Sequence, residues 1–403
     1  MKKAVNGAFF NNRVGSIDSA VARAIYGDDI VYKATRLEKY AACAYAQFME
    51  YGLKLIERKK YELRVADIGT IYHRCIELFT KQLKNYAGTI DKIDDGVRKE
   101  IIHNCILKVA EEYNNDVLFA TKRNTYILKR CEKVADKTAW AIIEHLKRGK
   151  FSPEFMELTV ENGRIDRVDT LDLDGTRYIK IIDYKSGQTQ FSPMETANGL
   201  RIQLMFYMDS LLKRERALNP ELRVEPAGVF YFNIQDPLLD YDEKFINEEV
   251  YDSEVLKKFT MTGFVNSRQE VFANLDVDVE KTSTNSIVFG YGQKQMNCQM
   301  SFATNKGAGS CYNFENFIDE VKKGADDFSE KIVQGDVSLN PYSMNGKKPC
   351  TYCLYKDICS FDARNFGNTY RKLPNSNADN LEILSNKFNK EIVSESDNEG
   401  EVN

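Results

Sequence analysis

Two stretches, Gly163-Arg-Ile-Asp-Arg-Val-Asp169 and Ile181-Ile-Asp-Tyr-Lys-Ser-Gly187, flank the dipeptide Asp174-Gly175, and this arrangement constrains the chain more than any other feature. Asp-Gly between alternating apolar runs is the strongest short-range hairpin signal. With these two residues at the loop tip, Leu173 faces Thr176, and counting outward sets Asp166 opposite Asp183. Side chains alternate faces along a strand, so Asp166, Asp183 and Lys185 share one face. Two carboxylates ~5 Å apart repel by roughly 3 kcal/mol at an effective dielectric of about 20. A divalent cation removes that cost. Oxygen ligands beside an amine describe a hard-metal site, for Mg²⁺ or Mn²⁺, of the kind that activates water against a phosphodiester. Taken alone, the hairpin also allows a solvated strand face.

The 403 residues, 43% of them hydrophobic, suffice for a substantial core and, by length, for roughly two to three domains' worth of structure. No apolar run approaches the ~20 residues of a membrane span, and Met1-Lys2-Lys3 leads into polar sequence instead of the apolar core of a signal peptide. The expectation is a soluble, cytoplasmic protein without a membrane partner. A net charge of -4 is not that of a generic nucleic-acid binder, so any contact with DNA must come from a local groove. Lys54 to Lys60, Lys147 to Lys150 and Lys213 to Arg216 are candidates, or solvated faces. Nine cysteines, an odd number, without a secretion signal argue against a disulfide framework. Cys350-x-x-Cys353-x5-Cys359 is a compact set of three thiols, which leaves a tetrahedral centre one ligand short.

Along the chain, Ile17 to Tyr26 is a short helical pattern closed by Gly27, in an N-terminal segment (1–33) with no assigned role. Thr35-Arg-Leu-Glu38 is a capping box that opens a helix through Tyr51, with Cys43 inside it. A second helix, roughly Asp67 to Lys84, carries Gly69, His73 and Glu77 at i, i+4 and i+8 on the border of its apolar face. Helical patterns run on from Ile93 to Lys147 as an α-helical subdomain, about 85–150. After the hairpin come a helix from about Pro193 to Arg216, where Gly199, Gln203 and Tyr207 repeat the same stripe, and a strand at Ala227 to Ile234. Strand, strand, helix, strand predicts a mixed central sheet flanked by helices, an α/β core. Residues 235–300 are irregular, with strand-like pieces at Thr262 to Val265 and Ser286 to Phe289. A final amphipathic helix from Phe314 to Ile332 stops at Gly335. Residues 374–403 read as a disordered tail, since Glu391 to Asn403 holds five acidic residues and no basic one.

The glycine-stripe helix with His73, then Gly163-x-x-Asp166, Asp183-x-Lys185 and Gln203-x-x-x-Tyr207, resembles the PD-(D/E)xK nuclease superfamily of RecB-like type. Cys43 ahead of that core and Cys350, Cys353 and Cys359 behind it resemble the iron-sulfur staple of the AddB component of AddAB-type helicase-nucleases. Arg36-Leu-Glu-Lys-Tyr40, Tyr51-Gly-Leu53 and Tyr370-Arg-Lys-Leu373 resemble it too, so the similarity covers about residues 30–373. The resemblance implies a restriction-endonuclease-like nuclease domain at 34–373. Asp166 and Asp183 would bind Mg²⁺ or Mn²⁺, with His73 and the Tyr184 carbonyl as further ligands. Lys185 would orient or activate the attacking water, and Gln203 and Tyr207 would steady the lysine or the DNA strand. Glu77 fits a partner of the ligands as well as a ligand. The staple would be a [4Fe-4S] cluster, although spacing alone leaves zinc open. Joining Cys43 to Cys350, it would close a loop of roughly 300 residues.

The function so implied is metal-dependent cleavage of single-stranded DNA, as an exonuclease, beside an AddA-like helicase subunit during repair of double-strand breaks. The other readings are a stand-alone iron-sulfur nuclease of the CRISPR-associated type and an inactive remnant that binds DNA or a partner. No Gly-x4-Gly-Lys-Ser/Thr loop occurs, so ATP hydrolysis is not expected of this chain. The stretch Pro153 to Arg164 is short for the family, and a missing strand there would disturb the alignment of Asp166 with Asp183.

Overall fold

The computed structural model describes residues 15–27, 33–56, 65–86, 89–112, 118–119, 121–161, 163–240, 247–266, 268–279, 281, 285–292, 301–302, 310–311, 314–365, 367–375, 380 and 383–384. The proposed tail at 374–403 falls almost wholly outside them, as do residues 1–14. Contacts divide the chain into two compact units. One comprises Met1–Lys60, Ser192–Phe206 and Glu315–Asn403, the other Tyr61–Phe191 and Tyr207–Phe314.

The second unit is built on a sheet whose five main strands are β1 (Ser152–Val160), β2 (Gly163–Leu173), β3 (Thr176–Lys185), β4 (Arg223–Asn233) and β5 (Thr262–Val265), hydrogen-bonded in that order. Two-residue strands at Ser301–Phe302 and Ser310–Cys311 extend the far edge. Asp174 and Gly175 both have positive φ (49° and 77°), the backbone of a tight hairpin turn matched to strand twist. Leu173 pairs with Thr176, and the register runs unbroken to Arg167 and Ile182. β3 and β4 are parallel, and the helix Gln203–Leu218 lies in their crossover, so the sheet is mixed as the pattern predicts. β4 is buried over nine of its eleven residues, as a central strand must be.

The face of β2 and β3 that bears Arg167 holds a buried ion cluster. Asp169 has no exposed surface. It accepts two hydrogen bonds from Arg167, at 2.6 and 2.8 Å, and its Oδ2 lies 2.8 Å from Lys180 Nζ directly across the ladder. Arg167 also donates to the Tyr184 hydroxyl at 3.3 Å.

Three helices pack together beside the sheet: α1 (Val65–Leu83), α2 (Asp95–Glu112) and α3 (Lys122–Arg148). α1 lies against β1, β2 and β3 with Ile71, Cys75 and Phe79 fully buried, the face its periodicity predicts. Among the described residues no helix is long and apolar enough to cross a membrane.

Several local expectations give way. The short Pro153 to Arg164 stretch does not lack a strand: β1 pairs with β2 down to Val160 and Gly163, with one register shift between Pro153 and Phe155. Thr35 is not an N-cap, because the helix there begins at Ala34 after Lys33. Glu38 turns outward from its own helix and accepts the backbone N–H groups of Ile202 (2.8 Å) and Gln203 (3.1 Å), capping the helix that starts at Gln203. The helix expected through Tyr51 breaks at Cys43, which is extended (φ -170°, ψ 118°). Beyond it, Ala44 N–H donates to Asn340 and Tyr45 N–H to Ser338. The stripe Gly199, Gln203, Tyr207 is not one helix either. Pro193–Ala197 ends at Asn198, and Gly199 has φ +80° and packs against the Phe328 ring. Ser286 to Phe289 is a turn instead of a strand, since the Ser286 hydroxyl accepts from the N–H groups of Val288 and Phe289.

Replacing Asp169 by Ala leaves two buried cations without a counter-charge and is expected to cost about 3–5 kcal/mol in urea unfolding. A loss below about 1 kcal/mol, the size of an exposed pair, would show that this cluster does not hold the hairpin.

Candidate functional site

At the open end of the hairpin the ladder stops one pair short of Asp166 and Asp183. From there the Asp166 carboxylate, instead of its backbone, reaches β3: its Oδ2 accepts the Tyr184 N–H at 2.8 Å. His73, projecting from α1, places Nδ1 3.3 Å from the same oxygen. α1 can come this close because of Gly69, where a Cβ would stand 3.0 Å from Ser186 Oγ, next to Lys185 in sequence. Asp183 is 4% exposed, and its Oδ2 touches the Lys185 ammonium without making a hydrogen bond of normal geometry. The Lys185 ammonium also lies 5.5 Å from the centre of the Tyr231 ring, on β4 beside Asp183.

His73, Asp166, Asp183 and Lys185 are thereby gathered at one end of the sheet, and their charges act on one another. Burial, with the neighbouring Asp166 charge, pushes the Asp183 carboxyl up to about 6 against the pull of Lys185. Burial pulls His73 down, but its hydrogen bond to Asp166 and the charges of both aspartates leave it above the ordinary imidazole value. Each carboxylate has its own partner, Asp166 with His73 and Asp183 with Lys185. Among the described residues no three His, Cys, Asp or Glu side chains already close on a common centre.

A further carboxylate escaped the sequence reading. The pairs Met156 with Arg167 and Leu158 with Ile165 set Glu157 abreast of Asp166, on the opposite side from Asp183. Glu157 has a positive φ (54°) within its strand and pairs with Arg164. Burial and the Asp166 charge push its carboxyl up to about 7. Counting back from the second hairpin tip, where Val160 faces Gly163, finds it in the sequence.

The remaining predicted residues are placed as follows. Glu77 is buried and committed to Arg74 (2.7 Å) and Lys81. Tyr184 is buried, its ring near that of His73 and its hydroxyl held by Arg167. Tyr207 packs on Gly163, at φ +151°, where a Cβ would meet the tyrosine hydroxyl at 2.8 Å. Gln203 belongs to the first unit, at the head of the helix capped by Glu38.

The four predicted thiols all lie in the first unit. Cys43 sits at the helix break, Cys350 and Cys353 on and after the 3-10 turn Pro349–Tyr352, and Cys359 at the end of the short helix Lys356–Cys359. Together they line one cavity of about 110 Å³, walled by Tyr45, Tyr355 and Phe361. Burial pushes Cys43 up to about 11 and raises Cys350 and Cys359 as well. Cys75, Cys105 and Cys131 are buried among α1, α2 and α3 instead.

The sequence model of the PD-(D/E)XK nuclease superfamily matches residues 34–360. Curated relatives include the B-type component of the ATP-dependent helicase/deoxyribonuclease of Lachnoclostridium phytofermentans, 32% identical over 96% of this chain and 34% of its own length. Its counterparts in Caldanaerobacter subterraneus subsp. tengcongensis (31% identical, 93% of this chain, 33% of its own) and Alkaliphilus metalliredigens (29%, 97% and 35%) are similar. The chain spans about a third of the length of these relatives. A mixed sheet, a hairpin whose open end gathers Asp166, Asp183 and Lys185 beside a helical His73, and a match over most of the length agree: the chain belongs to the PD-(D/E)XK nuclease superfamily.

Proposed function

We propose that this chain is a DNA nuclease that hydrolyses phosphodiester bonds of a single strand, as an exonuclease, beside a helicase subunit that feeds the strand to it in repair of broken DNA. The observation that carries this reading is the junction of Asp166, Asp183, His73 and Lys185 at the open end of one hairpin. Two carboxylates, an imidazole nitrogen and the nearby Tyr184 carbonyl are donors that suit Mg²⁺ or Mn²⁺, and the buried Asp183 Oδ2, without a well-formed hydrogen bond, fits a cation ligand. Such an ion, when bound, lowers the pKa of water and offsets charge on the phosphate.

The chain's own groups do the rest. Asp166 and Asp183 would hold the ion, with His73, whose Nδ1 lies 3.3 Å from the Asp166 carboxylate, as a further ligand. The Lys185 ammonium, beside Asp183, would donate to the attacking water or to a phosphate oxygen, where negative charge grows. It is 30% exposed, so a substrate can reach it. Glu157, abreast of Asp166 on β1, adds a further acid to the same end of the sheet. Tyr207, which packs on Gly163 at the start of β2, steadies the strand. The helicase partner is inferred from the relatives, each of them a component of an ATP-dependent helicase/deoxyribonuclease, and unwinding would be its work.

The four thiols fit a metal centre as well: they share one cavity, and thiolate ligands suit iron-sulfur clusters or zinc. A [4Fe-4S] cluster is the reading favoured here, with a structural role, tying Cys43 to the segment of Cys350, Cys353 and Cys359.

With Mg²⁺ or Mn²⁺ and a labelled single strand, Asp183→Ala and Lys185→Ala are each expected to lose about 100- to 1,000-fold in rate. The native chain is expected to bind Mn²⁺ by electron paramagnetic resonance, and the Asp183 variant to lose that binding. Equal cleavage by all three proteins would end the catalytic assignment. For the thiols, anaerobically purified protein should be brown, with about four iron and four sulfide per chain. Stoichiometric zinc without iron would reject the cluster.

A further inference from the structure

Most of the described cations in the basic runs visible in the sequence are engaged. Lys147 pairs with Glu144, Arg148 with Asp278, Lys213 with Asp209 and Arg214 with Glu215, while most of Lys54 to Lys60 lies outside the described residues. A different set of charges, on the first three turns of α3, has no ion-pair partner among the described residues. Lys122, Arg123, Lys129, Arg130 and Lys133 are all exposed, and none pairs with another described residue. At 100° per residue they fall within about a third of the helix circumference, opposite the buried Leu128 and Cys131. Tyr126, 67% exposed, stands in the middle of them.

This arrangement works against the helix. Lys129 and Lys133 are like charges at i, i+4 and Arg130 and Lys133 at i, i+3, spacings that destabilise an isolated helix. The acid within the stretch, Glu132, is turned to His103 at 2.8 Å. Elsewhere in the same unit exposed lysines have found carboxylates: Lys81 pairs with Glu77 and Lys137 with Asp236. In a chain of net charge -4, a face with five cations and a bare aromatic ring is complementary to a polyanion that also offers flat rings. From Lys122 to Lys133 the face runs about 16 Å, enough to follow several phosphates.

We infer that this face of α3 binds single-stranded DNA, its cations following the phosphates and Tyr126 stacking on a base. Unpaired bases are required for stacking, which favours a single strand over a duplex. The face lies in the same unit as the nuclease site, on a helix that packs against α1, which carries His73. The inference rests on the nuclease reading only in choosing DNA as the occupant. An acidic surface of a partner protein is the competing occupant.

The test is fluorescence anisotropy of the full chain with labelled oligo-dT in EDTA, where no strand is cut, over a series of salt concentrations. Lys122→Gln, Lys129→Gln and Lys133→Gln combined should make the slope of log affinity against log salt shallower by about 2. Tyr126→Ala should weaken binding at least about fivefold. Lys257→Gln with Lys258→Gln, the control for net charge, should change neither. No measurable binding by the native chain would overturn the inference. So would a triple variant of native helicity that keeps the native slope and affinity, including one that has lost only its association with a purified helicase. A native chain that binds through this face yet never cuts DNA would sink the nuclease reading and leave this one standing.

Discussion

Asp169, sealed from water, faces Lys180 across the hairpin and is gripped from its own strand by both arms of Arg167. A slip of one residue would turn every side chain of β2 to the other face and strand these charges against apolar neighbours, so the cluster admits a single register. The Asp174-Gly175 turn selects the same register from the other end. Everything at the open end follows. Asp166 can take the Tyr184 N–H only where the ladder ends, and Asp183 and Lys185 then emerge beside it.

The site is a collection of charges held apart from their best partners. Glu157, Asp166 and Asp183 stand on three adjacent strands, and burial with mutual repulsion lifts the carboxyl groups of Glu157 and Asp183 toward neutrality. His73, Lys185 and Arg164 compensate Asp166, Asp183 and Glu157 singly. A shared cation would stabilise this arrangement more than separate ones, because the cost to be offset is repulsion among acids that the backbone prevents from moving away. The proposed hydrolytic role draws on that unresolved repulsion.

The cysteine unit is organised by hydrogen bonds between distant segments, each with a backbone group at one end. Asn340 and Ser338 take the N–H groups just after Cys43, which holds that residue out of the helix, and the Tyr355 hydroxyl donates to Leu55 O at 3.2 Å. Met49, Tyr45, Tyr355 and Phe361 pack around the thiols. Such a layer presents all four thiols to one space whatever they hold.

The hairpin, its register, the face shared by Asp166 and Asp183, α1 with Gly69 and His73, and the mixed sheet were legible in the sequence, because turn chemistry and side-chain periodicity act over a few residues. Glu157 was legible by the same counting, through a second turn. The breaks at Cys43 and after Asn198, the carboxylate of Glu38 spent on another helix, and the burial that lifts Asp183 were not. Nor was the face of α3 whose cations pair with no described residue; they are scattered in sequence and align only at helical pitch, while Lys147 and Lys213 of the obvious runs are paired with acids. Local strings determine which elements form and how a hairpin is registered. Only the folded chain decides which backbone group, carboxylate or cation is satisfied by a partner far away in sequence, because that choice depends on distances the string does not contain.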